Sequence, residues 1–279
     1  MKQVVFMHRY GPTLASFRYR AEMPAQYLNR HGFDAQLNDG LADILVLSKP
    51  SEPDLVLARE AKAQGCKVVV DICDDHFQKK GDLYHGVCDL ADQIVVASNI
   101  MRDRVVEYTG KTPEVIDDPY EQPESPPHAE GRSLLWFGHK RNLQELEAVS
   151  KFLEDRNVYV VSGPGEIPNV IQWSPDNMKQ VFEKSNTALF PVMKGREYRS
   201  ANRLINALRA GCWAICMGHP AFEEFRRFVW VGNFYTGLRF MDANQHILNE
   251  LVAEGQEYIR GRYSPETIGA KWANLLDSI

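Results

Sequence analysis

Neither a Gly-x-Gly-x-x-Gly fingerprint nor a Walker A loop occurs in this chain of 279 residues. The two commonest glycine-rich phosphate cradles are therefore excluded. Cysteine is scarce and scattered. Cys66, Cys73, Cys88, Cys212 and Cys216 form an odd set with no Cys-x-x-Cys pair, which excludes a zinc ribbon and a disulfide framework. Reduced thiols in a cytoplasmic protein are the expectation. Long apolar runs are missing too: no window approaches the ~18 apolar residues of a membrane-spanning helix. The opening MKQVVFMHRYGPT has an apolar run too short for the core of a signal peptide, and charge soon follows it. Stable membrane insertion is not expected. Nor is there an excess of positive charge. Lys and Arg number 32 against 37 Asp and Glu, for a net charge of −5. Such a chain has no general basic field for nucleic acid, although a local basic patch could supply one. With 44% hydrophobic and 25% charged residues, the composition is that of a globular protein and not of a disordered or collagen-like one.

Short β-branched runs alternate with helical stretches. QVVFM at 3–7, ADILVLS at 42–48, KVVVDIC at 67–73 and QIVVASN at 93–99 read as strands. Helical patterns cover 14–30 and 54–64, and a further helix ends at Gly110. Continuous apolar strands separated by helices predict a parallel sheet covered on both faces, and hence a doubly wound α/β domain. Residues 117–132, DDPYEQPESPPHAEGR, hold four prolines and several acids. This stretch makes a poor helix and a poor strand, and reads as a linker. The alternation then restarts with SLLWFG at 133–138, VYVVSG at 158–163, TALFPV at 187–192 and CWAICMG at 212–218. Leu143, Leu146, Val149 and Leu153 predict an amphipathic helix over 142–154. Ser264-Pro265 supplies a good N-cap and first position for a last helix with Ile268, Trp272, Leu275 and Leu276 on one face.

Ligands of doubly wound sheets bind beyond the carboxyl ends of the strands, so candidate residues are sought there. KGREYRSANRLINALRAG at 194–211 carries Lys194, Arg196, Arg199, Arg203 and Arg209 against one acid, Glu197. Basic residues at a helix start suit an anion such as a diphosphate. The solvated basic face of a surface helix reads equally well from the same residues. FGHKRN at 137–142 places Gly138 after a strand, then His139, Lys140 and Arg141. That suggests phosphate contact, or an ordinary strand–turn–helix with solvated charges. After the first strand, Gly11 could let a ligand approach the backbone, with Arg18 and Arg20 facing the same crevice. Asp74, Asp75 and His76, just past a strand, could serve as general bases or bind sugar hydroxyls, or simply cap a helix. They could also contribute to a metal site, but no further ligands are identifiable, and none is expected.

Taken in order along the chain, these segments resemble the GT-B glycosyltransferases, specifically the bacterial family 4-like enzymes. The strongest match is SANRLINALRAGCWAIC, similar to that family's Ser-x-Asn-Lys/Arg-Leu-x-Glu-Ala-x-Ala-x-Gly segment. SFRYRAEMPAQYLNRHGFDAQL, VVVDICDDHF, VVASNIMRDRVVEYTG, VIDDPYE, LLWFGHKRNLQEL, HPAFEEF and GRYSPETIGAKW add support. The resemblance implies two Rossmann-like doubly wound domains facing across a cleft. On that reading residues 1–120 would form the acceptor-side domain and 121–132 the linker. Residues 133–279 would form the nucleotide-sugar domain, whose final helix can pack back on the first. It implies sugar transfer from a nucleotide-diphosphate sugar to a glycan, a lipid-linked sugar or another acceptor. Transfer would proceed with retention of configuration and without a metal or other cofactor. Arg203 would meet the diphosphate, with Asp75 and His76 as further catalytic candidates. Gly138, His139, Lys140, Arg141, Arg199, Ser200, Asn202 and Asn206 would bind the donor, and Gly11, Arg18, Arg20 and Asp74 would lie on the acceptor side. The family commonly has glutamate at the position of Asn206 and an acid at that of Tyr198. That departure keeps open a non-catalytic nucleotide- or glycan-binding relative. A nucleotide-sugar epimerase of the same architecture is the third reading.

Overall fold

A buried strand of a parallel sheet needs apolar side chains on both faces, and the strands of this chain supply them. The computed structural model describes residues 1–163, 167–192, 198 and 200–279. The chain divides into two compact units. The first comprises Met1–Pro119, Tyr198–Ser200 and Arg262–Ile279, and the second Tyr120–Glu197 and Ala201–Gly261. Each is built on a six-stranded parallel sheet with flanking helices, so the α/β doubly wound class read from the sequence is the fold observed. Among the described residues, no helix is long and apolar enough to cross a membrane.

In the first unit the strands are β1 (Lys2–Met7), β2 (Phe33–Leu37), β3 (Ile44–Ser48), β4 (Lys67–Ile72), β5 (Gln93–Val96) and β6 (Glu114–Val115). Their order in the sheet is β2-β1-β3-β4-β5-β6. Alternate residues go to opposite faces. Val5, Leu45, Leu47, Val68, Val70, Ile94 and Val96 pack under the helices Glu52–Ala63, Phe77–Leu90 and Asn99–Thr109. Val4, Phe6, Ile44, Val46, Val69 and Val95 pack with Ala25 and Leu28 of the helix Met23–Arg30 and with the final helix, Pro265–Asp277. Ser264 caps that final helix as its sequence predicts, accepting from Thr267 N–H. Trp272 meets Phe6 edge-on at 5.6 Å between ring centroids. Gly269 sits so tightly against the Tyr27 ring that no larger residue fits there without displacing it.

The second sheet contains β7 (Leu134–His139), β8 (Val158–Gly163), β9 (Ile171–Gln172), β10 (Thr187–Phe190), β11 (Trp213–Met217) and β12 (Trp230–Gly232). Its order is β12-β11-β10-β7-β8-β9. The chain runs outward from β7 to β9, then crosses back to lay β10 on the other side of β7. That reversal is a topological switch point, where doubly wound sheets open a crevice beyond the strand ends. The first sheet has its own reversal between β1 and β3.

Several elements differ from the sequence reading. The helix expected over 142–154 is broken into a turn at Lys140–Asn142, a short helix at Leu143–Glu147 and a turn at Ser150–Phe152. Its apolar stripe is only partly inside: Val149 and Leu153 are buried, and so is the charged Glu145. The strand β2 and the helices Pro175–Lys184, Phe234–Ala243 and Gln245–Arg262 escaped the reading because their apolar residues are diluted with polar ones. The helix opening at Ala15 passes through a π-helical turn at Arg18–Glu22 before Met23–Arg30.

That turn carries Arg20 inward. Expected at an acceptor crevice, Arg20 is fully buried. Its Nε and Nη2 donate to Asp71 at 2.6–3.1 Å, and Nη1 donates to the Ile116 carbonyl and lies 3.5 Å from Asp118. Burial opposes its charge, but Asp71 and Asp118 more than offset that and raise the guanidinium pKa. Ser48 Oγ donates to Asp71 at 3.1 Å and Ser200 Oγ to Asp118 at 2.6 Å. The network thus ties the start of the helical segment to β4, to the chain after β6 and to Ser200. Replacing Arg20 with methionine should leave two buried carboxylates without their counter-ion and cost about 3–5 kcal/mol. The denaturant midpoint of the variant measures this, and a midpoint equal to the parent's would refute it.

Candidate functional site

At the switch point of the second sheet two sequence candidates, Arg203 and Gly138, come together. Arg203 lies in the first turn of the helix Asn202–Arg209, whose N-cap residue, Ala201, has no side chain with which to cap it. The arginine reaches back to the end of β7, where Nη1 donates to the Phe137 carbonyl at 2.9 Å. Its guanidinium carbon stands 5.4 Å from the centroid of the Phe190 ring at the end of β10. Nη2 lies 3.8 Å from Oε2 of Glu145, a carboxylate with no exposed surface. The Arg203 side chain keeps 20% of its surface open. It is thus a cation held at the crevice of the sheet, part in the protein and part in solvent.

Gly138 makes this possible through space and not through φ. A Cβ built there would stand 2.9 Å from Arg203 Nη1 and 3.2 Å from the Trp136 ring. The arginine therefore occupies the room that a side chain at 138 would take. The neighbouring candidates divide. His139 Nδ1 accepts from Arg141 N–H at 3.2 Å, capping the turn Lys140–Asn142. Lys140 and Arg141 are exposed, and Asn202 is half-buried. Lys194, Arg196, Glu197 and Arg199 lie outside the described residues.

Two members of the same segment have fold-internal partners. Asn206 is 3% exposed. Its Oδ1 accepts from the backbone N–H groups of Glu121 and Gln122 at 3.0 Å each, and its Nδ2 donates to the Asn202 carbonyl at 2.8 Å. The side chain thereby pins the linker to the helix. Arg209 does the same, pairing with Glu124 and covering the Tyr120 ring at 4.2 Å. Ser200 points its hydroxyl at Asp118, as described above.

At the carboxyl edge of the first sheet the DDH segment also splits. Asp75 accepts from Phe77 N–H at 3.1 Å and from Arg104 Nε at 2.9 Å, and so holds the start of a helix. Asp74 pairs with Lys49 at 2.6 Å, and His76 Nε2 stands 4.0 Å from the same carboxylate. Burial lowers the pKa of His76, against the opposing pull of Asp74. A neutral imidazole beside a carboxylate is a group that can accept a proton. Gly11 is exposed, with open space beside it. Arg18 donates to the Pro12 carbonyl at 2.6 Å and stiffens that loop.

Two residues here, Lys49 and His8, were missed by the sequence reading. Lys49 has a left-handed backbone, φ +56°, which a lysine adopts at some cost. Its N–H donates to the Asp71 carbonyl, and its ammonium lies 5.5 Å from the centroid of the half-exposed Tyr10 ring. His8, buried at the end of β1, has its pKa lowered by that burial. Its Nδ1 accepts from Tyr10 N–H at 3.2 Å and its Nε2 faces Ser16 Oγ at the same distance. Position after a strand could have flagged His8, but nothing in the sequence signals a left-handed lysine. Among the described residues no cluster of three His, Cys, Asp or Glu is arranged to hold a metal ion.

Comparison with known proteins bears on the fold. No family model matches the chain, and no curated protein matches its sequence. Solved structures do match over nearly the whole length. An alpha-glucosyltransferase in complex with UDP and a 13-mer DNA containing an HMU base is 11% identical, with a TM-score of 0.68 and 100% of both chains covered. The catalytic domain of Starch Synthase IV from Arabidopsis thaliana, bound to ADP and acarbose, is 7% identical, with a TM-score of 0.64 and 98% of both chains covered. A UDP-N-acetylglucosamine 2-epimerase from Listeria monocytogenes is 10% identical, with a TM-score of 0.54, covering 98% of this chain and 94% of that one. The chain therefore has the GT-B fold. Identities this low speak for the fold alone.

The placement of Asn206 generates a direct test. Asn206→Leu should leave the N–H groups of Glu121 and Gln122 without their acceptor, at about 1–3 kcal/mol for each unpaired group. Thermal unfolding without any nucleotide should show a lower melting temperature. Parent-like melting would mean that the two amides do not depend on Asn206.

Proposed function

We propose that this protein is a glycosyltransferase of the family 4 kind, moving a sugar from a nucleotide-diphosphate sugar to an acceptor. The observation that carries the reading is Arg203. It is a half-buried cation at the switch point of a sheet whose strand order is that of nucleotide-binding folds, seated beside the helix start that would add its own dipole. Matched proteins of the same fold bind UDP or ADP, which supports a nucleotide ligand for this chain.

In the proposed reaction the bond between the anomeric carbon and the diphosphate oxygen breaks, and its electron pair stays on the diphosphate. Arg203 meets the charge that grows there, helped by the exposed Lys140 and Arg141. Such stabilisation acts mainly in the transition state. The acceptor hydroxyl forms the new bond. His76, next to Asp74 on the first unit, is the candidate to take its proton in an inverting course. In a retaining course, the one the sequence resemblance implies, the departing diphosphate takes it. The proposed scheme uses no metal or cofactor, and the proposal includes the cytoplasmic location that the unpaired cysteines of the sequence suggest. The acceptor is a glycan, a lipid-linked sugar or another hydroxyl-bearing molecule; the net charge of −5 speaks against nucleic acid, but the DNA bound by one matched glucosyltransferase makes modified DNA worth including in any screen.

An epimerase is the second reading, because an epimerase shares the fold. Product analysis without acceptor separates the two: an epimer of the donor sugar means epimerase, and glycosylated acceptor means transferase. A chain that binds nucleotide and turns nothing over would be the non-catalytic relative.

The test begins with nucleoside diphosphates and their sugars in a thermal-shift screen. A ligand at about 100 times its Kd adds about 2.7 kcal/mol to the folded state. Arg203→Ala should lower turnover on the order of 10²-fold, more than it weakens donor binding. Gly138→Ala should keep the fold but push the guanidinium aside and weaken nucleotide binding. If no nucleotide raises the melting temperature and no transfer is seen, the reading fails.

A further inference from the structure

A fully buried carboxylate must be compensated by a cation or hydrogen bonds, or it would be neutralised. Glu145 has no exposed surface, yet it lies in the segment 142–154 whose apolar residues predict that the leucines, and not an acid, face inward. The short helix Leu143–Glu147 instead turns Glu145 into the protein, and its carboxylate stands behind Arg203 at 3.8 Å from Nη2. The other contacts of the guanidinium complete a socket. The Phe137 carbonyl takes Nη1 at 2.9 Å, the Phe190 ring lies on one side, and Gly138 leaves the space. The carbonyl and the ring fix position but carry no net charge. The carboxylate adds a formal countercharge 3.8 Å from Nη2.

We infer that Glu145 is a positioning residue for Arg203: its buried charge holds the guanidinium in the socket so that the solvent-exposed part of the side chain faces the diphosphate of the donor. The inference rests on the donor site proposed above and adds a residue that touches no substrate. A flexible arginine pays rotamer entropy for each ordered contact, and a fixed one delivers its hydrogen bonds already oriented. The expected consequence is discrimination. An arginine aimed at the outer phosphate separates a nucleoside diphosphate from the monophosphate, whereas an arginine free to swing does so poorly.

The experiment measures the affinity of the full chain for UDP and UMP, or for the ADP and AMP pair if adenine is preferred, and takes the ratio. In the parent the diphosphate should bind more tightly. Arg203→Met should remove most of that preference. Glu145→Gln, nearly isosteric but uncharged, should lower the ratio by about tenfold, the size of one misplaced charge-assisted contact. The double variant should look like Arg203→Met alone, because Glu145 acts only through Arg203. If Glu145→Gln does not fold, Glu145→Asp keeps the charge but shortens its reach, and should lower the ratio in part. A variant at 145 that melts earlier but keeps the parent ratio overturns the inference, since a purely structural carboxylate behaves that way. A parent with no preference for the diphosphate overturns the donor-site reading and this inference together. Loss of the preference in Arg203→Met but not in Glu145→Gln overturns this inference alone.

Discussion

Parallel strands must be covered on both faces, and this constraint organises everything else. Covering both faces of a sheet with helices forces the chain to wind outward in one direction, return, and wind in the other. At the return no helix covers the strand ends. In the second unit that place lies between β7 and β10, and the chain fills it with an arginine where a core would put an apolar side chain. The positive charge is held there by three features of different kinds: a backbone carbonyl, an aromatic ring and a buried carboxylate. A Cβ at residue 138 would stand 2.9 Å from Arg203 Nη1 and push the guanidinium from this position.

The first unit meets the same constraint with a different balance. Its charged interior network, centred on Arg20 and Asp71, joins β4 to segments far apart in sequence. The groups left at its carboxyl edge are fewer and mixed in sign, with Lys49, Asp74 and His76 in one cluster and the Tyr10 ring beside it. Such an edge suits a neutral polar ligand better than a polyanion. On the second unit Lys140 and Arg141 are exposed just past the end of β7, the strand whose Phe137 carbonyl accepts from Arg203, and they carry the charge an anion would need.

The strands were legible because a parallel sheet writes its burial as apolar runs, as ILVL at the start of β3 and VVV in β4 do. Gly138 and Arg203 draw notice in the sequence from their place after a strand and at a helix start, but their relation does not: Gly138 clears space for a side chain 65 positions further along the chain. Polar residues were the hard part, since the same side chain can serve a ligand or the fold. Arg20 and Asp75 read as site residues and are bound to internal partners. The Asn206 amide, which a resemblance assigns to a ribose, holds the backbone of the linker. Glu145 was hidden by its neighbours, because Leu143, Leu146 and Val149 form a convincing apolar stripe that the folded chain does not follow. Lys49 depends on a left-handed backbone that no local residue demands. In each case a contact distant in sequence decided the role, and one-dimensional pattern carries no record of it.

The central claim is that the second unit binds a diphosphate at the β7–β10 switch point through Arg203. A crystal structure of the protein with a nucleoside diphosphate tests it most directly. The account predicts a phosphate oxygen at a charge-assisted hydrogen-bond distance, about 2.7–2.9 Å, from the Arg203 guanidinium, with Glu145 still behind it. A diphosphate seated on the first sheet, or on the second unit with Arg203 still closed against Phe137 and out of reach, would contradict it.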